Sequence, residues 1–274
     1  MTKKKIFRFI KNIIGQDNFK KIKHLIRGGK MEMFDEISLI EHYFIKKKRN
    51  SGLMVDVGVN FGQSFLPFAK KGWKVIGFEA NPTIAKQIPH HKNFKLYENA
   101  VSDSDGQEVT LYASEESEGI GSLLAFTKGH QAAAVVKTIT LATVVELEKI
   151  SSIDFLKIDI EGYDLIALKG FPFDKISPEI IVCEFEDSKT TLLGYDYKDM
   201  GNFLLDKGYK VWLSEWHPIV KYGGDHQWLN LRPYYAELVD PKATGNFIAV
   251  RPESAEIFDE AIKSYIKKLP AKSA

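Results

Sequence analysis

The sequence predicts an α/β fold in which helices cover both faces of an open, mostly parallel sheet. Three stretches support this prediction, at residues 53–62, 73–79 and 152–162. Each is a short apolar run that ends in a glycine or an acid and leads into a helix-like segment, which is the pattern of a buried parallel strand and its crossover helix. Similar runs bring the sheet to seven strands. The last strand follows a long hairpin connection, so we expect it to be antiparallel.

The first stretch passes from a strand into a loop with the spacing Asp56-x-Gly58-x-Asn60-x-Gly62. Glycines here let the backbone bend and let a ligand approach without a Cβ in the way, while the following helix offers unpaired N–H groups. A purely structural tight turn is the alternative, because such turns are common. The third glycine of a dinucleotide fingerprint is missing.

A second acid makes this loop more specific. Glu79 ends the strand at 73–78 and follows Gly58 by 21 residues, close to the ~20 expected for an acid that accepts hydrogen bonds from ribose hydroxyls. Two adjacent strand ends therefore predict a nucleoside-cofactor site. Asp56 suits a ligand with a positive charge, such as the α-amino group of S-adenosylmethionine, and would repel a pyrophosphate.

Further segments extend the predicted cofactor edge. Residues 94–98 form a third strand, and 99–103 is the loop at its carboxyl end, where open α/β sheets bind ligands. An ordinary polar turn is the alternative for that loop. Residues 107–113 and 135–141 alternate in polarity like edge strands and predict an added hairpin-like excursion.

The stretch at 152–162 places two acids, Asp159 and Glu161, at a strand tip on the same sheet edge as Asp56. Charges at such a position are costly unless they are used, which favours a ligand role over a helix cap with salt bridges. Residues 178–183 form another strand that ends in acids, beginning with Glu184.

The overall charge of +2 hides an asymmetry. Residues 1–50 hold fourteen Lys and Arg against five Asp and Glu, a net +9, so the remainder carries −7. Apolar positions at helical spacing between lysines predict a basic helical extension at 1–50, followed by a domain at 51–274. Residues 1–30 either rest on an anionic membrane surface or cap the core with their lysines outward, and the cap is the favoured interpretation.

Composition also excludes several classes of protein. Cys183 is the only cysteine, which excludes an internal disulfide and a cysteine-based zinc cluster and fits a cytoplasmic location. No apolar run reaches the ~18–20 residues of a membrane span, and the basic start lacks the apolar region of a signal peptide. Because the body is acidic and lacks a basic aromatic groove, we expect no nucleic-acid substrate.

The segment at 215–241 is long and rich in aromatic and polar side chains. Long ordered loops are usually functional, and such side chains suit stacking and hydroxyl contacts with a sugar. The alternative is an exposed hairpin whose aromatic rings pack on the sheet.

With these residues in place, the chain resembles the FkbM family of S-adenosylmethionine-dependent methyltransferases over residues 53–251. The segments at 55–62, 78–82, 99–103 and 156–162 carry the resemblance, and the run Lys-Ile-Asp-Ile-Glu-Gly within the last is the most specific. The resemblance implies a class I methyltransferase fold, which is Rossmann-like with a seven-stranded sheet. It also implies methyl transfer to a hydroxyl oxygen of a sugar, glycan, glycolipid or other small-molecule acceptor.

The resemblance further implies the residues that contact S-adenosylmethionine. The glycine loop would hold the methionine part, Glu79 would accept from both ribose hydroxyls, and Asp159 would sit nearest the sulfonium. Asn99 and Ala100 would meet the adenine edge. The full implied set is Asp56, Gly58, Asn60, Gly62, Glu79, Asn81, Asn99, Ala100 and Asp159.

The catalytic base stays open at this point. An alcohol acceptor must lose its proton, and we nominate Asp159 or Glu161 as the base, with His217 and His226 as reserves. We expect no metal, although Asp159 and Glu184 could supply oxygen ligands to a divalent ion. Two rival functions are an NAD-dependent oxidoreductase and a non-catalytic, membrane-associated scaffold that binds the cofactor.

Overall fold

The computed structural model describes residues 34–114, 121–125, 130–218, 226–235 and 237–269. Its helices of four residues or more are α1 (Glu36–Lys46), α2 (Leu66–Lys70), α3 (Pro82–Ala85), α4 (Leu141–Leu147), α5 (Asp164–Lys169), α6 (Asp187–Thr190), α7 (Tyr197–Asp206) and α8 (Ala255–Ile266). Its strands are β1 (Leu53–Val57), β2 (Lys74–Phe78), β3 (Phe94–Tyr97), β4 (Ala100–Val101), β5 (Glu108–Ser114), β6 (Gly121–Ser122), β7 (His130–Ile139), β8 (Phe155–Ile158), β9 (Ile180–Phe185), β10 (Lys210–Trp216), β11 (Trp228–Pro233) and β12 (Thr244–Val250).

The main sheet has the order β11-β10-β12-β9-β8-β1-β2-β3. Strands β3, β2, β1, β8 and β9 pair in parallel, so their carboxyl ends meet at one edge. β12 lies between β9 and β10 and is antiparallel to both, as predicted for the last strand. The strand order reverses at β1, where β2 lies on one side and β8 on the other, and this switch point is where an open α/β sheet forms its ligand crevice.

The sheet has one strand more than the seven predicted. β11 pairs antiparallel with β10 at the edge of the sheet, within the segment at 215–241 that the sequence analysis treated as a long connection. The alternation of apolar residues in β11 is short and ends at Pro233. Proline occurs in edge strands because it has no N–H to donate to a neighbouring strand.

A second, four-stranded sheet lies between β3 and β8 in the chain, with the order β4-β7-β5-β6. β5 and β7 are antiparallel, which confirms the predicted excursion. β4 falls within the predicted loop at 99–103 and pairs in parallel with the end of β7. α4 follows directly, capped by the Thr140 side chain, and was not predicted as a helix.

Two apolar clusters cover the two faces of the main sheet. One gathers side chains of α4, α5 and α7 on the face of Val55 and Val57, and the other gathers α1, α2 and α8 on the face of Met54. Adjacent residues of a strand point to opposite faces, and β1 carries buried apolar side chains on both, so helices cover both faces even though Asp56 is polar.

α1 belongs to this core. Its Leu39, Ile40, Tyr43 and Phe44 are buried, and its Glu36 carboxylate accepts hydrogen bonds from β10 and β12. The predicted boundary at residue 50 stays a prediction, although residues 36–46 share their core with the sheet. Residues 1–33 lie outside the described residues. No helix in the described ranges has the length and apolarity to cross a bilayer.

Candidate functional site

An open cleft lies at the carboxyl ends of β1, β2 and β8, where open α/β sheets bind their ligands. The predicted site residues that line it are Gly58, Asn60, Glu79, Asn81, Asn99, Ala100, Asp159 and Glu161. Asp56, Gly62, His217 and His226 do not line it.

The glycine loop brings the tips of β1 and β8 into close approach. Gly58 has a φ of +84°, and a Cβ placed on it would lie 1.9 Å from the carbonyl oxygen of Asp159. Asn60 follows with a φ of +52°, in the left-handed region that non-glycine residues rarely adopt. Gly62 lies against the Phe65 ring and not against the tip of β8. Only a glycine at position 58 lets the two strand ends share one crevice.

Glu79 is fixed by the backbone of the two loops that flank it. Its Oε2 accepts the Asn60 N–H and its Oε1 accepts the Asn81 N–H, each at 2.9 Å. Burial raises the pKa of Glu79, and the N–H donors of Asn81 and Asn60 oppose that shift. Because each carboxylate oxygen has a second lone pair, Glu79 retains two acceptor positions for a diol.

Asp56 lies behind the loop rather than in the cleft. Its side chain is fully buried, its Oδ2 accepts the Ser64 hydroxyl at 2.5 Å, and its Oδ1 lies 3.5 Å from the ammonium of Lys157. Burial raises the pKa of Asp56, opposed by Lys157 and Ser64. The negative charge of Asp56 is therefore paired with Lys157 of the protein itself, whereas the sequence had predicted that Asp56 would pair with the positive charge of the cofactor.

Asp159 is the acid that β8 presents to the cleft. Its side chain is 41% exposed, and its Oδ2 lies 3.3 Å from the Lys157 ammonium. Burial alone lowers the pKa of Lys157, but the carboxylates of Asp159 and Asp56 outweigh burial and raise that pKa above its ordinary value. Lys157 is therefore a permanent cation between the two acids.

Glu161 also faces the cleft and is held in an unusual backbone conformation. Its φ is +57°, its carbonyl accepts the Ser122 hydroxyl at 2.9 Å, and its carboxylate lies 2.5 Å from the ammonium of Lys189. Strained residues of this kind persist only where the surroundings hold them, and they concentrate at functional sites. Burial raises the pKa of Glu161, opposed by Lys189.

Further acids surround Glu161. The buried Lys189 also pairs with Glu186 at 2.6 Å and with Glu184 at 3.4 Å. The buried Asp164 accepts the N–H groups of Gly162 and Glu184. Burial, assisted by the charge of Asp159, raises the pKa of Asp164 to about 7. Acids outnumber the single ammonium of Lys189 at this end of the cleft, and burial together with their mutual repulsion raises the pKa values of Glu161, Glu184 and Asp164.

One wall of the cleft was not predicted from the sequence. Leu111, Ser122 and Leu123 of the second sheet line it, together with Tyr163. The hairpin pattern was visible in the sequence, but no local signal shows which part of the main sheet a hairpin covers. Lys157 was also missed, although a lysine inside the apolar run of β8 should have indicated a buried charge partner.

None of the described residues between 215 and 241 lines the cleft. The ring of Trp228 stacks on Phe34, the Trp216 Nε1–H donates to Glu36, and Tyr234 packs against Phe247. His217 follows β10, which is separated from β8 by β9 and β12, a distance of about 14 Å at the usual strand spacing. Trp216, Trp228 and Tyr234 thus follow the alternative stated above and pack on the protein, whereas Tyr235 is exposed.

A family model described as the methyltransferase FkbM domain matches residues 56–211. Among curated proteins, no sequence matches this chain.

Three similar solved structures illustrate the likeness to known folds. The magnesium protoporphyrin IX methyltransferase from Synechocystis PCC 6803, with bound SAM, is 10% identical with a TM-score of 0.38, and the match covers 92% of this chain and 98% of that one. A putative methyltransferase from an antibiotic biosynthesis pathway of Anabaena variabilis is 12% identical with a TM-score of 0.40, over 66% of each chain. A precorrin 8W decarboxylase from Methanobacterium thermoautotrophicum is 14% identical with a TM-score of 0.39, over 80% of this chain and 92% of that one.

Proposed function

The chain belongs to the FkbM family of methyltransferases, and from that premise we propose that it transfers a methyl group from S-adenosylmethionine to a hydroxyl oxygen of a sugar, glycan or glycolipid. One observation carries the proposal. Glu79 and Asp159 line the same cleft from the ends of β2 and β8, which lie on either side of β1, and one is suited to a ribose and the other to a cation.

The hydrogen-bonding, apolar and charged groups that line the cleft fit S-adenosylmethionine. The remaining lone pairs of Glu79 match the two ribose hydroxyls, and the apolar side chains of Ile84, Val101 and Leu111 provide flanks for the adenine. Asp159 supplies a negative charge at the other end of the cleft. Lys157 pairs with this carboxylate but is shared with Asp56, so the three groups keep a net charge of −1 that suits a ligand with a positive charge.

When bound, S-adenosylmethionine supplies an electrophilic methyl carbon on a sulfonium. Transfer forms the acceptor O–C bond as the C–S bond breaks in line, and the acceptor proton passes to a carboxylate. The task of the cleft is therefore to align the acceptor oxygen and to exclude competing water. Of the two nominated bases, Asp159 is the more exposed. Burial raises the pKa of Glu161, which makes it a stronger base than an ordinary glutamate.

The test is incubation of the full chain with methyl-labelled S-adenosylmethionine and a panel of glycans and glycolipids, followed by mass spectrometry of any product that gains the labelled methyl group. Glu79→Gln should raise the Kd of S-adenosylhomocysteine, because one ribose acceptor becomes a donor. Glu161→Gln should lower kcat and leave that Kd unchanged if Glu161 is the base. A thermal shift with NAD that exceeds the shift with S-adenosylhomocysteine would overturn the proposal in favour of the oxidoreductase.

The predicted contact of residues 1–30 with an anionic membrane surface falls outside the described residues, so it stays a prediction, as does the cytoplasmic location. Its support is the net charge of +9 on residues 1–50. Co-sedimentation with vesicles containing phosphatidylserine, compared with neutral vesicles, tests it. Equal recovery with both kinds of vesicle argues for the helical cap.

A further inference from the structure

Lys157 lies between the two strand tips that form the cleft. It is in register with Asp56 across the β1–β8 pair, and only 10% of its side chain is exposed. Its ammonium reaches three oxygens at the crevice: Asp159 Oδ2 at 3.3 Å, Asp56 Oδ1 at 3.5 Å and the Gly58 carbonyl at 3.5 Å. One buried cation therefore contacts both strand tips and the first residue of the glycine loop.

The charges of this group sum to −1, and only one of its carboxylates is accessible. Asp56 is fully buried and accepts from Ser64, whereas Asp159 lines the cleft. A buried carboxylate without a counter-charge is strongly destabilising, so Lys157 has to satisfy Asp56. The same ammonium then holds Asp159 in the orientation that faces the cleft.

We propose that Lys157 is a positioning residue for the cofactor. By holding Asp159 toward the cleft, Lys157 makes Asp159, rather than Asp56, the carboxylate that pairs with the positive charge at the methionine end of the cofactor. This inference rests on the proposed function. It predicts that Lys157 matters for ligands that carry the amino-acid group and not for ligands that lack it.

Isothermal titration with two probes separates these classes. S-adenosylhomocysteine carries the α-ammonium, and 5′-methylthioadenosine carries the nucleoside alone. The informative variant is Lys157→Met combined with Asp56→Asn, because it keeps the net charge at −1 and leaves no buried carboxylate without a partner. We expect it to weaken S-adenosylhomocysteine about tenfold relative to the wild type, a loss of ~1.4 kcal/mol, and 5′-methylthioadenosine less than twofold.

Two comparisons make the test specific. Asp56→Asn alone is the background for the double variant. If charge alone mattered, removing the Lys157 cation from that background should strengthen the contact with the α-ammonium of S-adenosylhomocysteine. Lys157→Arg should restore part of the discrimination between the probes. Lys175→Met, which removes an exposed lysine paired with Glu146, is the control for a generic loss of lysine.

The outcomes are distinct. If the double variant discriminates between the probes as the wild type does, Lys157 serves Asp56 alone and the inference is wrong. If Asp56→Asn by itself loses the discrimination while Asp159→Asn keeps it, Asp56 is the acid that answers the cofactor and the inference is equally wrong. If the wild type binds neither probe nor S-adenosylmethionine, the proposed function fails first.

Discussion

Two buried lysines shape the chemistry of this cleft at the scale of single residues. Lys157 and Lys189 each sit among carboxylates, and each keeps one of them, Asp159 or Glu161, directed toward the cleft. Lysine is among the residues least often buried, and burial is tolerated only where the charge is paired. The sequence patterns singled out Asp159 and Glu161 as candidate site residues, and both line the cleft, but the patterns gave no role to the lysines that hold them.

Gly58→Ala should destabilise the protein by about 3 kcal/mol, because the added Cβ clashes with backbone and the φ is left-handed. The nearest obstacle, the Asp159 carbonyl oxygen at 1.9 Å, cannot move without displacing the tip of β8. Thermal unfolding measures the effect. The matched control is Gly106→Ala, where φ is +72° but no atom lies within 4 Å of the new Cβ, and there we expect about 1 kcal/mol. Equal losses in the two variants would contradict the close approach.

Asp164→Asn should flatten the dependence of stability on pH. The pKa of Asp164 is raised by burial to about 7, so the folded state binds a proton that the unfolded state, with a pKa near 3.9, releases. The resulting stabilisation is full below about pH 4 and is lost as the pH rises through 7, which amounts to about 2 kcal/mol between pH 5 and pH 8. Denaturant unfolding of wild type and variant at both pH values checks this. A difference between the two proteins that stays constant with pH would refute it.

At the scale of elements, α1 is tied to the far edge of the sheet by one carboxylate. Glu36 accepts hydrogen bonds from Ser214 at 2.7 Å, Trp216 at 2.8 Å and Asn246 at 3.2 Å. These donors belong to β10 and β12, so the start of α1 and the antiparallel part of the sheet are fixed together. Phe34, stacked on Trp228, extends the same contact to β11.

Glu36→Ala should therefore cost on the order of 3 kcal/mol in the free energy of unfolding, because it leaves three mostly buried donors without their acceptor. Glu41→Ala is the control on the same helix, since Glu41 pairs with the half-exposed Lys71 and such surface pairs contribute less than about 1 kcal/mol. Denaturant midpoints compare the two variants. If Glu36→Ala costs no more than Glu41→Ala, α1 is held by its apolar face alone.

The second sheet acts on the cleft as a separate element. Ser122 of β6 donates to the Glu161 carbonyl and accepts the Leu124 N–H at 3.0 Å. This small strand thus supports the left-handed residue at the tip of β8. An insertion in the chain between β3 and β8 has become part of the wall that faces the ligand.

At the scale of the whole molecule, the sequence predicted those elements whose own residues show a pattern of buried apolar side chains. β1 and β2 are mostly apolar runs that end at the glycine loop and at Glu79, and the structure has both. β11 was missed because an edge strand buries little and needs no apolar run. The orientation of Asp56 was missed for a related reason: whether a strand acid faces a ligand or a neighbouring lysine depends on the strand beside it, and β8 lies about 100 residues further along the chain.

Chelation should leave the methyltransfer activity intact. Within the described ranges, no group of three His, Cys, Asp or Glu side chains is arranged to hold a metal ion, and the acids nearest the cleft are neutralised by Lys157 and Lys189. The measurement is turnover of labelled S-adenosylmethionine before and after exhaustive treatment with EDTA. Loss of turnover that magnesium restores would show that Asp159 and Glu184 act as metal ligands after all.

The position of β12 has a consequence for how this protein is made. On the ribosome, β9, β10 and β11 emerge before residues 244–250, yet β12 fills the gap between β9 and β10. The nascent chain therefore presents two unpaired strand edges until that segment is released, and open edges recruit other chains. The rate of translation between β10 and β12 sets how long those edges are exposed. A chaperone that binds the nascent chain in this interval would keep the open edges from pairing with other chains.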